Sequence, residues 1–214
     1  CLCFGPYHPE IAAPAGAHHP SYIMQGVVAG IRDGGNKSGI PTVNGSVVFD
    51  PRFSGKPLVF CGTGALMPLK IGKEDSWEKP IAVGDWIIMA GGRIGKDGLH
   101  GATLSSQQLD EDVPQSMVQI GSPFTQKRLS DFLLEAVQTE LVKTCTDNGA
   151  GGLSSSVGEM ATATGGACVE ISKLPLKFGG LKPWEIFLSE SQERMSLVID
   201  KSYWPALKEL ANKH

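Results

Sequence analysis

A chain of 214 residues, 41% hydrophobic and with a net charge of −3, can bury the core of one large or two small domains. Acidic and basic residues are interspersed along it, so no field gathers nucleic acid or anionic lipid. No apolar run reaches the length of a membrane span, and neither nucleic acid nor a membrane is expected as a partner.

Five scattered cysteines, Cys1, Cys3, Cys61, Cys145 and Cys168, are odd in number and unlike the framework of a small secreted domain, which points to the cytoplasm. In Cys1-Leu2-Cys3-Phe4 the alternation reads as a strand rather than half a metal site, because no Cys/His pair with finger spacing follows. With no initiating Met and no signal core, the chain is expected to be a piece of a longer protein.

His19 and Pro20 open a helix carrying Ile23, Met24, Val27, Val28 and Ile31, with Gly34-Gly35 expected to end it. Arg32 and Asp33 read as its solvated face. Thr42 to Phe49 and Leu58 to Leu66 read as two strands. The polar stretch from Trp77 to Asp85 marks a junction, giving a first domain over 1–82 and a second over 83–214. Trp86 to Ala90 is a buried strand, Phe124 to Val137 a helix, and Val142 to Thr146 a strand leading to Asp147. Another helix follows Gly151-Gly152, with a capping role expected for Ser154-Ser155-Ser156. Val169 to Ile171, Ile186 to Leu188 and Met195 to Ile199 read as strands, and Pro205 opens a last helix. This mixture predicts a layered α/β or α+β fold rather than a barrel.

Two segments carry the chemistry. In Thr146-Asp147-Asn148-Gly149-Ala150-Gly151-Gly152 a carboxylate stands beside bare backbone, an arrangement that holds a divalent ion near a phosphate. Asp147 suits Mg²⁺, which takes hard oxygen and few protein carboxylates, although an Asp before glycines also simply starts a turn. Ser189-Glu190-Ser191-Gln192-Glu193-Arg194-Met195 supplies acceptors and donors of both kinds, while Glu190 and Glu193 by themselves read as a solvated edge. The loop Gly91-Gly92-Arg93-Ile94-Gly95-Lys96-Asp97-Gly98 offers amides and cations to a phosphate, or is a surface turn. It is not a Walker loop, because Asp97 stands where a Ser or Thr is required. Gln119, just before a helix start, carries an amide suited to a substrate's polar groups.

Taken together, Gly-Val-Val-Ala-Gly-Ile, Gly39 to Val43, Gly91 to Thr103, Val118 to Gly121, Asp147 to Gly152 and Ser189 to Met195 resemble phosphoribosylformylglycinamidine synthase in its large synthetase component. The resemblance implies an aminoimidazole-ribonucleotide-synthetase-like fold, here the end of a ferredoxin-like N-terminal domain that pairs as a dimer or pseudo-dimer, plus much of a second α/β domain. It implies a ligase of purine biosynthesis, with ATP and Mg²⁺, acting on formylglycinamide ribonucleotide through an iminophosphate and using ammonia from a glutaminase domain or subunit. By the same resemblance Gln119, Glu190, Ser191 and Gln192 bind substrate; Gly92, Arg93, Gly95, Lys96, Gly98 and His100 bind phosphate; and Asp147 holds the metal.

Ile94, Lys96 and Ser122 depart from the family's usual Thr, Arg and Asp. The family's upstream histidine motif has no counterpart, so no catalytic residue is assigned and the piece alone is expected to be inactive. A small-molecule kinase of the same superfamily and a non-catalytic dimerisation half are the alternatives.

Overall fold

The computed structural model describes residues 1–99 and 120–214, which form two compact units, Cys1–Met67 and Pro68–His214. In the first unit, strand β1 (Leu2–Phe4) lies between β2 (Val47–Phe49), parallel to it, and β3 (Leu58–Val59), antiparallel. Cys3 and Phe4 are buried at its centre. The strands expected over Thr42 to Phe49 and Leu58 to Leu66 are thus far shorter, because a strand persists only where a neighbour accepts its hydrogen bonds and β1 is 3 residues long.

Helix α1 (Pro20–Ser38) is capped by His19, whose Nδ1 accepts the Ser21 amide hydrogen at 3.2 Å. It continues through Gly34-Gly35 and stops at Gly39, which turns left-handed at φ 76° and donates its N–H to the Gly35 carbonyl. The expectation of an end at Gly34 failed because glycine inside a helix costs only about 1 kcal/mol relative to alanine; what stops a helix is a left-handed residue at its C-terminus. Arg32 and Asp33 are paired to each other on its surface.

The second unit begins with a hairpin of β4 (Lys70–Ile71) and β5 (Glu74–Asp75), which the sequence reading did not foresee. Its main sheet has the order β6-β8-β7, with β6 (Trp86–Gly91) and β7 (Thr144–Asp147) both antiparallel to a central β8 (Arg194–Ile199). Leu197 and Ile199 of β8, with Ile88 and Ala90 of β6, pack on one face against Phe132 and Ala136 of α2 (Pro123–Gln138) and Leu207 of α5 (Trp204–Lys213). Ile87 and Met89 turn to the other face, where Leu153 and Val157 of α3 (Gly152–Ala161) and Ile186 of α4 (Pro183–Leu188) meet Ile94 and Leu181. Helices therefore cover both faces of this antiparallel sheet, within the layered α/β or α+β arrangement expected.

Two expected strands are absent. Ile186 to Leu188 lies inside α4, because Pro183 is set for a first helical turn and the Glu185 carboxylate accepts the Lys182 amide hydrogen at 2.8 Å. Val169 to Ile171 leads into a short 3-10 turn, Ile171–Lys173, instead of joining the sheet. The expected Val142 to Thr146 strand is shifted toward Asp147. Among the described residues no helix is long and apolar enough to cross a membrane.

Candidate functional site

The sheet order brings three loops to one end. Because β6 and β7 both run antiparallel to β8, their C-terminal ends lie beside the start of β8: Gly91 pairs with Arg194, and Asp147 with Met195. The glycine-rich loop leaving β6, the turn leaving β7 and the Ser189–Glu193 segment entering β8 must therefore meet. The last two are joined by a hydrogen bond from the Gly151 amide to Glu190 Oε1 at 3.1 Å. Gly152, at φ 56°, seals the same junction, since a Cβ there would stand 2.0 Å from the Ser189 carbonyl oxygen.

Asp97 ties in the glycine-rich loop. Its carbonyl accepts the Glu190 amide hydrogen at 2.9 Å. Its carboxylate accepts a short hydrogen bond from the Ser191 hydroxyl and an ion-paired one from Lys177 Nζ at 2.6 Å. The Ser191 oxygen in turn accepts the Gly95 amide hydrogen at 2.9 Å. Burial alone would raise the Asp97 pKa, but the Lys177 and Ser191 hydrogen bonds outweigh it and the carboxyl is held below its ordinary value.

Arg194 is buried and donates to the Ser191 carbonyl at 2.7 Å and to that of Ser189. Burial brings its pKa down to about 10, which leaves it charged at neutral pH. It thus closes the segment from behind with charge-assisted hydrogen bonds. Glu193 holds a left-handed backbone at φ 53° and accepts the Ser122 amide hydrogen at 2.8 Å through Oε1. Desolvation pushes its pKa up, against the opposing effects of the Ser122 amide and Lys177.

The candidate residues divide accordingly. Glu190 and Ser191 are buried and Gln192 is half-buried, so the expectation that Glu190 and Glu193 form a solvated edge is corrected: backbone amides and a buried loop enclose them. The amides of Gly92 and Gly95 donate to the Glu193 carbonyl, at 2.9 Å, and to Ser191; in this arrangement they hold the triplet instead of standing open for a phosphate. Lys96 is turned onto Glu185 at 3.2 Å, and Arg93 toward the Leu176 carbonyl at 3.4 Å. Gly98 is buried at the end of the loop. His100 and Gln119 lie outside the described residues.

The serine run does not cap α3. Gly151 occupies the N-cap without a side-chain bond, and Ser156 is buried with Asn148 and Ser196, donating to Asn148 Oδ1 at 2.6 Å. Asp97 and Lys177 escaped sequence reasoning as site residues, while Arg194 stood out only as a donor within the Ser189–Met195 segment. Asp97 was weighed only as a failed Walker position, and Lys177 comes from a segment with no motif of its own.

Asp147 is exposed at the end of β7. Among the described residues no cluster of three or more His, Cys, Asp or Glu side chains forms a metal cage. A single exposed carboxylate is compatible with Mg²⁺, which keeps water and takes substrate phosphates as further ligands.

Residues 82–214 match the family described as AIR synthase related protein, C-terminal domain. A phosphoribosylformylglycinamidine synthase subunit PurL of Methanopyrus kandleri is 44% identical over 194 residues, covering 87% of this chain and 26% of its own length. Two solved structures are similar over 100% of the chain. T. maritima PurL complexed with FGAR has a TM-score of 0.75 at 30% identity, with 33% of its chain covered. T. maritima PurL complexed with ATP gives 0.71 at 28% identity, with 30% covered. The chain spans about a quarter of the length of the curated relatives it matches.

Proposed function

The chain belongs to the AIR synthase related family through that family's C-terminal domain, and from this premise we propose that it is part of an ATP-dependent ligase of purine biosynthesis converting formylglycinamide ribonucleotide to the amidine. In this reading the substrate's amide oxygen attacks the γ-phosphorus of ATP and ADP leaves. Ammonia from a glutaminase then adds to the imidate carbon, and inorganic phosphate leaves with the oxygen. A dimer or pseudo-dimer built on the first domain completes the reading; the family match, which starts at residue 82, favours a division between 1–82 and 83–214, whereas the compact units divide after Met67. A cytoplasmic setting accords with five cysteines that are all free thiols.

The observation that carries the proposal is the meeting of three loops at one end of the β6-β8-β7 sheet, with Glu190 fixed by Gly151 and Ser191 by Asp97 and Gly95. Substrate positioning falls to Glu190, Ser191 and Gln192, together with Gln119; Glu190 and Ser191 are buried and hydrogen-bonded, which preorganises those two before the ligand arrives. The loop residues Gly92, Arg93, Gly95, Lys96, Gly98 and His100 are assigned to the phosphate side, which for Gly92 and Gly95 requires their amides to leave Glu193 and Ser191. Lys96 reaches a phosphate by leaving Glu185, whose carboxylate keeps the Lys182 amide as a second partner. Asp147 would hold Mg²⁺, which when bound neutralises phosphate charge as the transferring group moves. Positive charge and fixed donors at this end of the sheet stabilise the same developing charge.

Calorimetry of the chain with formylglycinamide ribonucleotide and with Mg·ATP tests the proposal. Saturable binding of either, weakened at least about tenfold by Ser191→Ala (roughly 1.4 kcal/mol), is the expected result. Binding of neither ligand contradicts it. With ammonia added, the chain alone is expected to give no turnover, since the family's histidine motif is not in it.

A further inference from the structure

Lys177 is the cation that no motif marks and that the fold nonetheless brings beside Ser191. Its segment runs along the glycine-rich loop as an isolated parallel bridge: the Ile94 amide donates to the Pro175 carbonyl at 2.9 Å and the Lys177 amide to the Ile94 carbonyl at 2.8 Å. The side chain then passes over Gly95, where a Cβ would stand 2.8 Å from Lys177 Cδ and 2.7 Å from Asp97 Oδ2. A side chain there would push the lysine stem and the Asp97 carboxylate out of these positions. The ammonium ends on Asp97 Oδ2 at 2.6 Å, the same oxygen that accepts the Ser191 hydroxyl.

The other two cations of the loop point elsewhere, Lys96 to Glu185 and Arg93 toward the Leu176 carbonyl. The Gly92 and Gly95 amides are engaged with Glu193 and Ser191. Arg194 is buried against the Ser189 and Ser191 carbonyls, whereas Lys177, held beside Ser191 by Asp97, keeps 39% of its side chain open to solvent and to a ligand. An ammonium is a compact point charge on a flexible stem and can add a phosphate oxygen to its contacts without leaving Asp97, because it has three donors.

We propose that the Lys177 ammonium is an anion-binding group of this site, meeting a ligand phosphate beside Ser191, with Asp97 as the positioning residue that holds it there. This rests on the functional reading above. The phosphate belongs either to the ribonucleotide substrate or to the nucleotide, and titrating each separately tells them apart.

The test uses the full chain as wild type, Lys177→Met, Lys177→Gln and Lys177→Arg, titrated calorimetrically with formylglycinamide ribonucleotide and with Mg·ATP over a series of salt concentrations. Thermal unfolding of each variant reports folding, and Lys177→Gln carries the comparison should Lys177→Met not fold. For one of the two ligands the neutral variants are expected to raise Kd about tenfold and flatten its salt dependence, as loss of one screened charge contact requires. Lys177→Arg is expected to restore binding to within about threefold and to recover the salt slope. Unchanged Kd in the neutral variants, or a loss with the wild-type salt slope and no rescue by arginine, overturns the inference while leaving the functional reading intact. A wild-type chain that binds neither ligand overturns both.

Discussion

Asp97 touches Glu190 with its carbonyl and Ser191 and Lys177 with its carboxylate, so one residue of the glycine-rich loop fixes the geometry of a segment far along the chain. Its carboxyl is held below the usual 3.8 despite burial. A depressed carboxylate stabilises the fold fully above the pKa of the unfolded chain, and that contribution is lost as pH falls through the folded value. Asp97→Asn is therefore expected to lower the urea midpoint at pH 7 and to shrink its drop between about pH 7 and about pH 3. Glu185 and Asp200, whose pKa values are also lowered, preserve part of that acid limb. Glu193, with its raised pKa, acts in the opposite sense, and its contribution fades as pH rises through the folded value. Equal midpoint changes in wild type and variant would deny Asp97 this role.

Gly152→Ala sets a Cβ 2.0 Å from the Ser189 carbonyl at a left-handed φ of 56°. It is expected to cost about 3 kcal/mol in denaturant unfolding. At this scale the sequence disclosed the residues that carry motifs, Asp147 and the Glu190-Ser191-Gln192 triplet. It did not disclose Lys177 or the job of Asp97, because their partners are 80 residues apart in the chain and nothing in either segment's own pattern signals the pairing.

Among the elements, β8 is the part on which the site depends. It is paired on both sides, and Leu197 at its centre is fully buried between β6, β7 and the α2 side of the sheet. Leu197→Ala is expected to destabilise the chain by about 2–5 kcal/mol, read as a lower urea midpoint at an unchanged slope. A loss below about 0.5 kcal/mol, the range of ordinary surface changes, would place that leucine outside the core. The helices α1 and α2 were legible, since a helical stripe leaves its period in the sequence; β6 was found from its apolar run, yet it is half-buried and exposed at Trp86 and not the buried strand expected. Ile186-Phe187-Leu188 was misread because a run of apolar residues has no period of its own; Pro183 and Glu185 before it held the deciding information. The short β2 and β3 were overestimated for a different reason, as their ends are set by the length of β1 and not by their own composition.

At the scale of the molecule, the unit Pro68–His214 contains all of the sheet, both helical layers and every described candidate residue. The chain order alone does not reveal that β7 and β6 flank β8; once that order is known, the meeting of three glycine- and carboxylate-rich loops follows from strand direction. In the first unit, Val43, Phe60 and Leu66 are exposed, and the dimer or pseudo-dimer remains the proposed cover. The central claim is that the Asp147–Gly152 turn, the Gly91–Gly98 loop and the Ser189–Glu193 segment form one ligand site. Backbone amide NMR of the chain during titration with formylglycinamide ribonucleotide in the presence of Mg²⁺ tests it most directly. The account predicts saturable shifts in Gly95, Gly151 and Ser191 together, all fitting a single Kd. Shifts confined to one of the three segments, or three segments titrating with different constants, would contradict it.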